Sequence, residues 1–306
     1  MSQSLLRWLS SFGQGIVIGV ANVIPGVSGG TMALIFGIYE KLIGLLGDLF
    51  KAGLYLLKLD FRGFSSMMSR IPWAFFLWLA GGILVAPLLG AKLIPEALES
   101  WPEESRSLFF GLILGTLPIP WIRIRDHRQR NVFILFIAAA ISFLLVGIPP
   151  AELTDPGLIA VFFAAALAIC AMILPGVSGA FILLILGMYV PVFEAIEARD
   201  LTVIVVFALG AGIGLGSFAL LLKALLDRAH DATMAALVGL MLGSLRSLWP
   251  WLADDRGILK PETSADNFET VLLLGLAGLA ISSVMTMIEF RASRKRGDAL
   301  ERNDES

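Results

Sequence analysis

A chain of 306 residues that is 57% hydrophobic and only 16% charged, with a mean hydropathy of +0.84, is too apolar for an ordinary soluble domain, where about a quarter of residues carry charge. The composition specifies an all-α polytopic membrane protein and excludes a sizeable soluble domain, because no stretch is long and polar enough to form one. The net charge of −2 is uninformative about partners, but the distribution of charge is not; no nucleic-acid partner is expected.

The chain opens with one arginine, Arg7, followed by an apolar run. The run has the look of a signal peptide, but it leads directly into Pro25-Gly26-Val27-Ser28-Gly29-Gly30 and reads as part of the fold. That hexapeptide recurs as Pro175-Gly176-Val177-Ser178-Gly179-Ala180, and nine of sixteen residues are identical between 24–39 and 174–189. Each copy interrupts an apolar segment, 12–43 and 157–196. Such a break is tolerated in hydrocarbon only where protein buries it or a cavity lines it. Paired breaks in two halves of a chain point to a transporter's binding site.

Six further segments are apolar and near the 20 residues a crossing needs: 72–93, 107–122, 131–148, 201–226, 233–252 and 269–290. The repeat continues through them. Gly82-Ile83 aligns with Gly212-Ile213, Gly111 and Gly115 align with Gly239 and Gly243, and Trp121 aligns with Trp249. The falling offset leaves about twenty extra residues in the first half, assigned to 41–60. There Lys41, Asp48, Lys51 and Lys58 share one helical face, which reads as an amphipathic helix in the interface.

Lys and Arg counts set the topology, since cytoplasmic loops carry the excess. If each broken segment returns to its starting side, 17 basic residues lie inside and 5 outside; if each crosses once, the better split is 12 against 10. The expected architecture is therefore an inverted-topology repeat, each half a re-entrant hairpin plus three transmembrane helices. The first repeat occupies 1–150 and its hairpin enters from the cytoplasm. The second occupies 151–290 and its hairpin enters from outside. Residues 291–306 form a cytoplasmic tail, and both termini are cytoplasmic.

At each break Pro25 or Pro175 removes an N–H and Gly26 or Gly176 permits a tight turn. The helix restarting at Gly29 or Gly179 offers backbone N–H groups to an anion, and Ser28, Thr31 and Ser178 add hydroxyls. Ser28, Gly29, Gly30, Thr31, Ser178 and Gly179 are the expected anion-binding residues. The same features also serve simple helix turning, and the serines serve as N-caps. Arg246 either neutralises the bound anion or snorkels to an outer interface marked by Trp249 and Trp251. Glu40 and Glu194 each follow a hairpin and are candidates for ion coupling or plain interfacial residues. Gly210, Gly212, Gly214 and Gly216 mimic a dinucleotide loop, but no strand precedes them, and they read as helix-packing residues. Cys170 is a small packing residue. His127 and His230 stand in charged loops with no ligand cluster, so neither metal nor cofactor is expected.

The stretch Gly19-Val20-Ala21-Asn22-Val23-Ile24-Pro25-Gly26-Val27-Ser28-Gly29-Gly30-Thr31, with Gly37-Ile38-Tyr39-Glu40 and the second copy Leu174–Gly179, resembles the bacterial polyprenyl-phosphate transporter family of the PopT type. The resemblance covers essentially the whole chain. It implies a flippase in the bacterial cytoplasmic (inner) membrane that moves undecaprenyl phosphate from the outer to the inner leaflet for envelope polymer synthesis, with the polyprenyl-phosphate lipid as partner and no enzymatic activity. Where the first copy has Gly30 and Thr31, the second has Ala180 and Phe181, so the second tip is expected to hold phosphate less well or to act as a gate. Two alternatives remain: a small-anion transporter, which the hairpins alone do not distinguish, and an intramembrane undecaprenyl-pyrophosphate phosphatase. The phosphatase motif resembles this one but continues with Arg where Gly29 and Gly179 stand here.

Overall fold

The computed structural model describes residues 3–23, 28–90 and 100–304, apart from 152, 155, 254 and 262–266. The regular structure of these residues is helical, with one isolated β-bridge between Leu252 and Ile258. The first half comprises α1 (Gln3–Val23), α2 (Gly29–Ile35), α3 (Tyr39–Leu57), α4 (Phe61–Arg70), α5 (Trp73–Gly90), α6 (Pro102–Thr116), α7 (Pro118–Ile122) and α8 (Gln129–Leu145). The second comprises α9 (Leu158–Ile173), α10 (Gly179–Ile185), α11 (Tyr189–Glu197), α12 (Leu201–Arg228), α13 (His230–Ser244), a 3₁₀ turn (Leu245–Leu248) and α14 (Phe268–Asp304).

Both repeat copies fold as helix, break, short helix. Gly29 lies against Ile18 and Asn22 of α1, and Gly179 against Ala168 and Met172 of α9, at equivalent positions. Each short helix then ends on a left-handed glycine, Gly37 and Gly187, both at φ +68°. The N–H groups of Ile38 and Met188 reach back to Ala33 and Leu183, and those of Gly37 and Gly187 to Leu34 and Leu184. This is the Schellman arrangement, in which glycine takes the αL position at no Cβ cost. Between α10 and α11 the chain turns by 106°.

Close helix pairs follow the repeat. In α1·α5 a Cβ on Gly82 would strike the Phe12 carbonyl, and in α9·α12 one on Gly210 would strike the Phe162 carbonyl. The remaining helices pair across the halves. Gly111 of α6 abuts the Gly275 carbonyl of α14, while Gly239 and Gly243 of α13 abut the Leu135 and Ala139 carbonyls of α8. Small residues let these backbones approach, as membrane helices require in the absence of a hydrophobic drive between them. Gly212 has no neighbour within 4 Å. The structural counterpart of Gly82 is thus Gly210, two residues earlier than the sequence landmarks place it.

Three described stretches are long and apolar enough to cross a bilayer unaided: Pro102–Ile122, Leu201–Arg228 and Phe268–Met287. The number rises to five if two bent helix pairs each count as one span. The expected crossing 233–252 is instead α13, of 15 residues, closed by the 3₁₀ turn. It carries more buried residues than any other described helix, among them Met234, Leu237 and Met241. A helix surrounded by protein has no lipid thickness to match, so its length is free.

The expected amphipathic segment 41–60 is mostly α3, which is packed along α12. Gly47 meets Leu220, Phe50 fills the space over Gly216, and Lys223 pairs with Asp48 at 3.2 Å. The outward end of α3 and the whole of α4 bury nothing beyond Ala52.

Candidate functional site

The two breaks meet. Pro25 and Gly26 lie outside the described residues, but Ser28 onward is placed, as are Pro175 and Gly176. Ser28 is buried. Its Oγ caps α2 by accepting the Gly30 N–H at 3.1 Å and lies 3.1 Å and 3.0 Å from the carbonyl oxygens of Met172 and Leu174. Thr31 Oγ1, fully buried, accepts the N–H of Gly176 at 3.1 Å. The Tyr39 hydroxyl donates to the Ile173 carbonyl at 3.3 Å. Gly30 faces that same carbonyl with no room for a Cβ, and Gly176, at φ +81°, backs onto Met241 and Ser244 of α13. The first tip thus spends its hydroxyls on the second tip's backbone, which the break in α9 leaves without helical partners.

Ser178 behaves differently. Its Oγ caps α10 by accepting the Phe181 N–H at 3.4 Å, and the residue lines a cavity of about 450 Å³. A second cavity of about 260 Å³ is lined by Gly29 and Gly30. The two are counterparts under the repeat. Gly29, Gly30, Tyr39 and Leu46 line one where Gly179, Ala180, Tyr189 and Ile196 line the other, and Leu79 and Ile83 are matched by Phe207 and Ala211. Residues 42 and 46 therefore belong to the repeat, and the extra residues of the first half fall later, in the distal part of α3 and in α4. Both cavities are overwhelmingly apolar. Asn22 and Met172, themselves repeat-equivalent, line both. Asn22 Oδ1 accepts the Gly29 N–H at 2.8 Å. Sequence reasoning assigned Asn22 no role; the signal was present, as a polar residue three positions before Pro25 in an apolar helix.

The other candidates lie elsewhere. The Arg246 guanidinium donates to the Phe143 and Arg256 carbonyls, each at 3.0 Å, and stacks on Phe143, so it faces the end of α8 rather than the serines. Glu40 lies 3.9 Å from Arg123 and 3.5 Å from His230. Arg123 also donates to the Leu34 carbonyl at the end of α2. His230 touches Asp231, which accepts the backbone N–H groups of Arg125 and Asp126. The Asp231 carboxyl is held below the usual aspartate range, first by the Arg125 N–H, with burial opposing and His230 and Asp126 assisting. Glu194 is exposed on α11. Cys170 Sγ packs 3.5 Å from the Gly214 carbonyl in the α9–α12 contact. Among the described residues, no group of His, Cys, Asp and Glu is placed to hold a metal ion.

The profile of the VCA0040-like, undecaprenyl phosphate translocase-like family matches residues 18–265. A polyprenyl-phosphate transporter of Vibrio cholerae serotype O1 is 39% identical over 254 residues, covering 82% of this chain and 80% of its own. A polyprenyl-phosphate transporter of Staphylococcus aureus is 27% identical over 265 residues, covering 80% of this chain and 87% of its own. No solved structure matches significantly. A family match spanning both breaks and both cavities, with a relative this similar over four-fifths of the chain, makes the protein a member of the undecaprenyl phosphate translocase-like family.

Proposed function

We propose that the protein is a flippase for undecaprenyl phosphate, moving it from the outer to the inner leaflet of the bacterial cytoplasmic membrane for reuse in envelope polymer synthesis. One observation carries the reading: two repeat-equivalent apolar cavities converge on Asn22 and Met172 beside the joined tips. Apolar walls suit a prenyl chain, and a phosphate stripped of water needs polar groups where the cavities meet. Asn22, Ser178 and the backbone at Gly179 supply them on one side; Gly29 and Gly30 line the other. In the joined state Ser28 and Thr31 form the seal, and they become phosphate ligands when the tips part.

The supporting topology is an inverted repeat with re-entrant hairpins from opposite faces and both termini cytoplasmic. The distal part of α3 and the exposed α4 lie at the cytoplasmic interface. Glu40, through Arg123 and His230, is the better placed of the two carboxylates for coupling to the first hairpin. Transfer of labelled polyprenyl phosphate between the leaflets of proteoliposomes tests the proposal. Wild type accelerates transfer over protein-free vesicles, and Asn22→Leu/Ser178→Ala abolishes it. Wild-type transfer at the protein-free rate removes the function; equal transfer by wild type and variant removes the site.

A further inference from the structure

A second concentration of charge lies outside the cavities, next to the second hairpin. Arg106 of α6 donates to the carbonyls of Pro250 and Leu252 at 3.5 Å and 3.4 Å. Arg256 donates to the Val146 carbonyl at 3.4 Å, and its own carbonyl accepts from Arg246. The Arg256 guanidinium sits 4.3 Å over the ring of Phe181, the residue whose N–H Ser178 caps. Three guanidiniums thus share one neighbourhood, half-buried. Burial, then the positive charges of Arg106 and Arg246, push the Arg256 guanidinium below its usual value.

Among the described residues no carboxylate lies within ion-pair distance of any of the three. Neutral carbonyls are their only polar partners there, and the buried Arg246 Nε has none. Arg256 also holds a left-handed backbone at φ +63°, which a non-glycine residue adopts only at a cost. Like charges crowded out of water repel and lose hydration; a dianion with several acceptor oxygens relieves both, and planar guanidiniums match its geometry.

We propose that Arg106, Arg246 and Arg256 form a docking site for a phosphate monoester or phosphate dianion at the approach to the second hairpin. The bland alternative is that the arginines merely staple the chain around Pro250, Leu252 and Arg256 to α6 and to the end of α8. A staple contributes stability without anion affinity. The lipid-transport reading is needed only to say which molecule carries the phosphate.

The test uses full-length protein in phosphatidylcholine nanodiscs, with emission from Trp249 and Trp251 followed while inorganic phosphate or a short-chain prenyl phosphate is titrated. Wild type gives a saturable response. Arg256→Gly, which suits the backbone and so preserves the fold, and Arg106→Gln each weaken binding at least about tenfold, and Arg256→Lys recovers part of the loss. Preference for the prenyl phosphate identifies a lipid headgroup as the ligand; equal affinity for inorganic phosphate identifies the free ion. Variant affinities within about twofold of wild type, or no saturable wild-type response, overturn the site. Leaflet transfer is measured on the same samples. Unchanged variant affinities with intact transfer remove the docking site alone, whereas intact arginine-dependent binding without wild-type transfer removes the lipid-carrier reading alone.

Discussion

Thr31→Val tests the seam between the two breaks directly. Valine keeps the shape of threonine in a site with no exposure and removes the acceptor of the Gly176 N–H, now at 3.1 Å. The lost hydrogen bond is worth about 1 kcal/mol net, and stranding a buried donor raises the cost to about 1–3 kcal/mol. The contacts from Ser28 to Met172 or Leu174 and from Tyr39 to Ile173 survive. Ser28 has one hydroxyl hydrogen and donates to one of its two carbonyls at a time, so the seam retains roughly two hydrogen bonds. The ratio of parted to joined tips then rises about 5–150-fold. Amide hydrogen exchange with mass spectrometry reads this in peptides spanning 174–178. Because Pro175 has no amide, the Gly176 signal stands apart from that of Leu174. Faster exchange at Gly176 by about that factor, with α6 and α14 unchanged, is the expected result. Wild-type protection at Gly176 in the valine variant refutes the assignment of Thr31 as the latch.

Gly30→Ala wedges the same seam from the other side, since its Cβ meets the Ile173 carbonyl; it costs about 1–3 kcal/mol and raises Gly176 exchange, while Ala180→Gly, at an exposed position, leaves it unchanged. Gly210→Ala and Gly212→Ala move the thermal unfolding midpoint in opposite directions. The first collides with the Phe162 carbonyl, whereas the second meets open space and gains about 0.5–1 kcal/mol of helix preference. Asp231 has its folded-state carboxyl depressed, so its contribution is fully present above the unfolded aspartate range near about pH 4 and is lost as pH falls through the folded value. Unfolding midpoints of wild type and Asp231→Asn therefore differ at neutral pH and converge in acid.

Much of the local fold was legible. Pro, Gly and Ser act on their own backbone, so Pro-Gly-Val-Ser-Gly specifies a break and a restart wherever it stands, and Ser28 and Ser178 cap α2 and α10 as that chemistry requires. The sequence landmarks erred by two residues at Gly82 because one Gly in a run of four is indistinguishable from its neighbours until the packing partner, Phe162, is known. The second tip was expected to hold phosphate less well or to act as a gate. In the folded chain it is the second serine that lines the larger cavity, while the first serine is turned onto carbonyls. Arg246 was read alone, and its association with Arg106 and Arg256 joins residues up to 150 positions apart.

The sequence by itself determined the membrane class, the helices, the twofold repeat and the family. Each rests on composition, periodicity or short-range dihedral preference, which a segment carries with it. Only the tertiary structure decided that the first tip's hydroxyls bind the second tip, that Asn22 stands between two matched cavities, and that α13 is enclosed by protein. These depend on which backbone groups a break leaves without partners and which distant side chain reaches them first, and no local pattern encodes that choice.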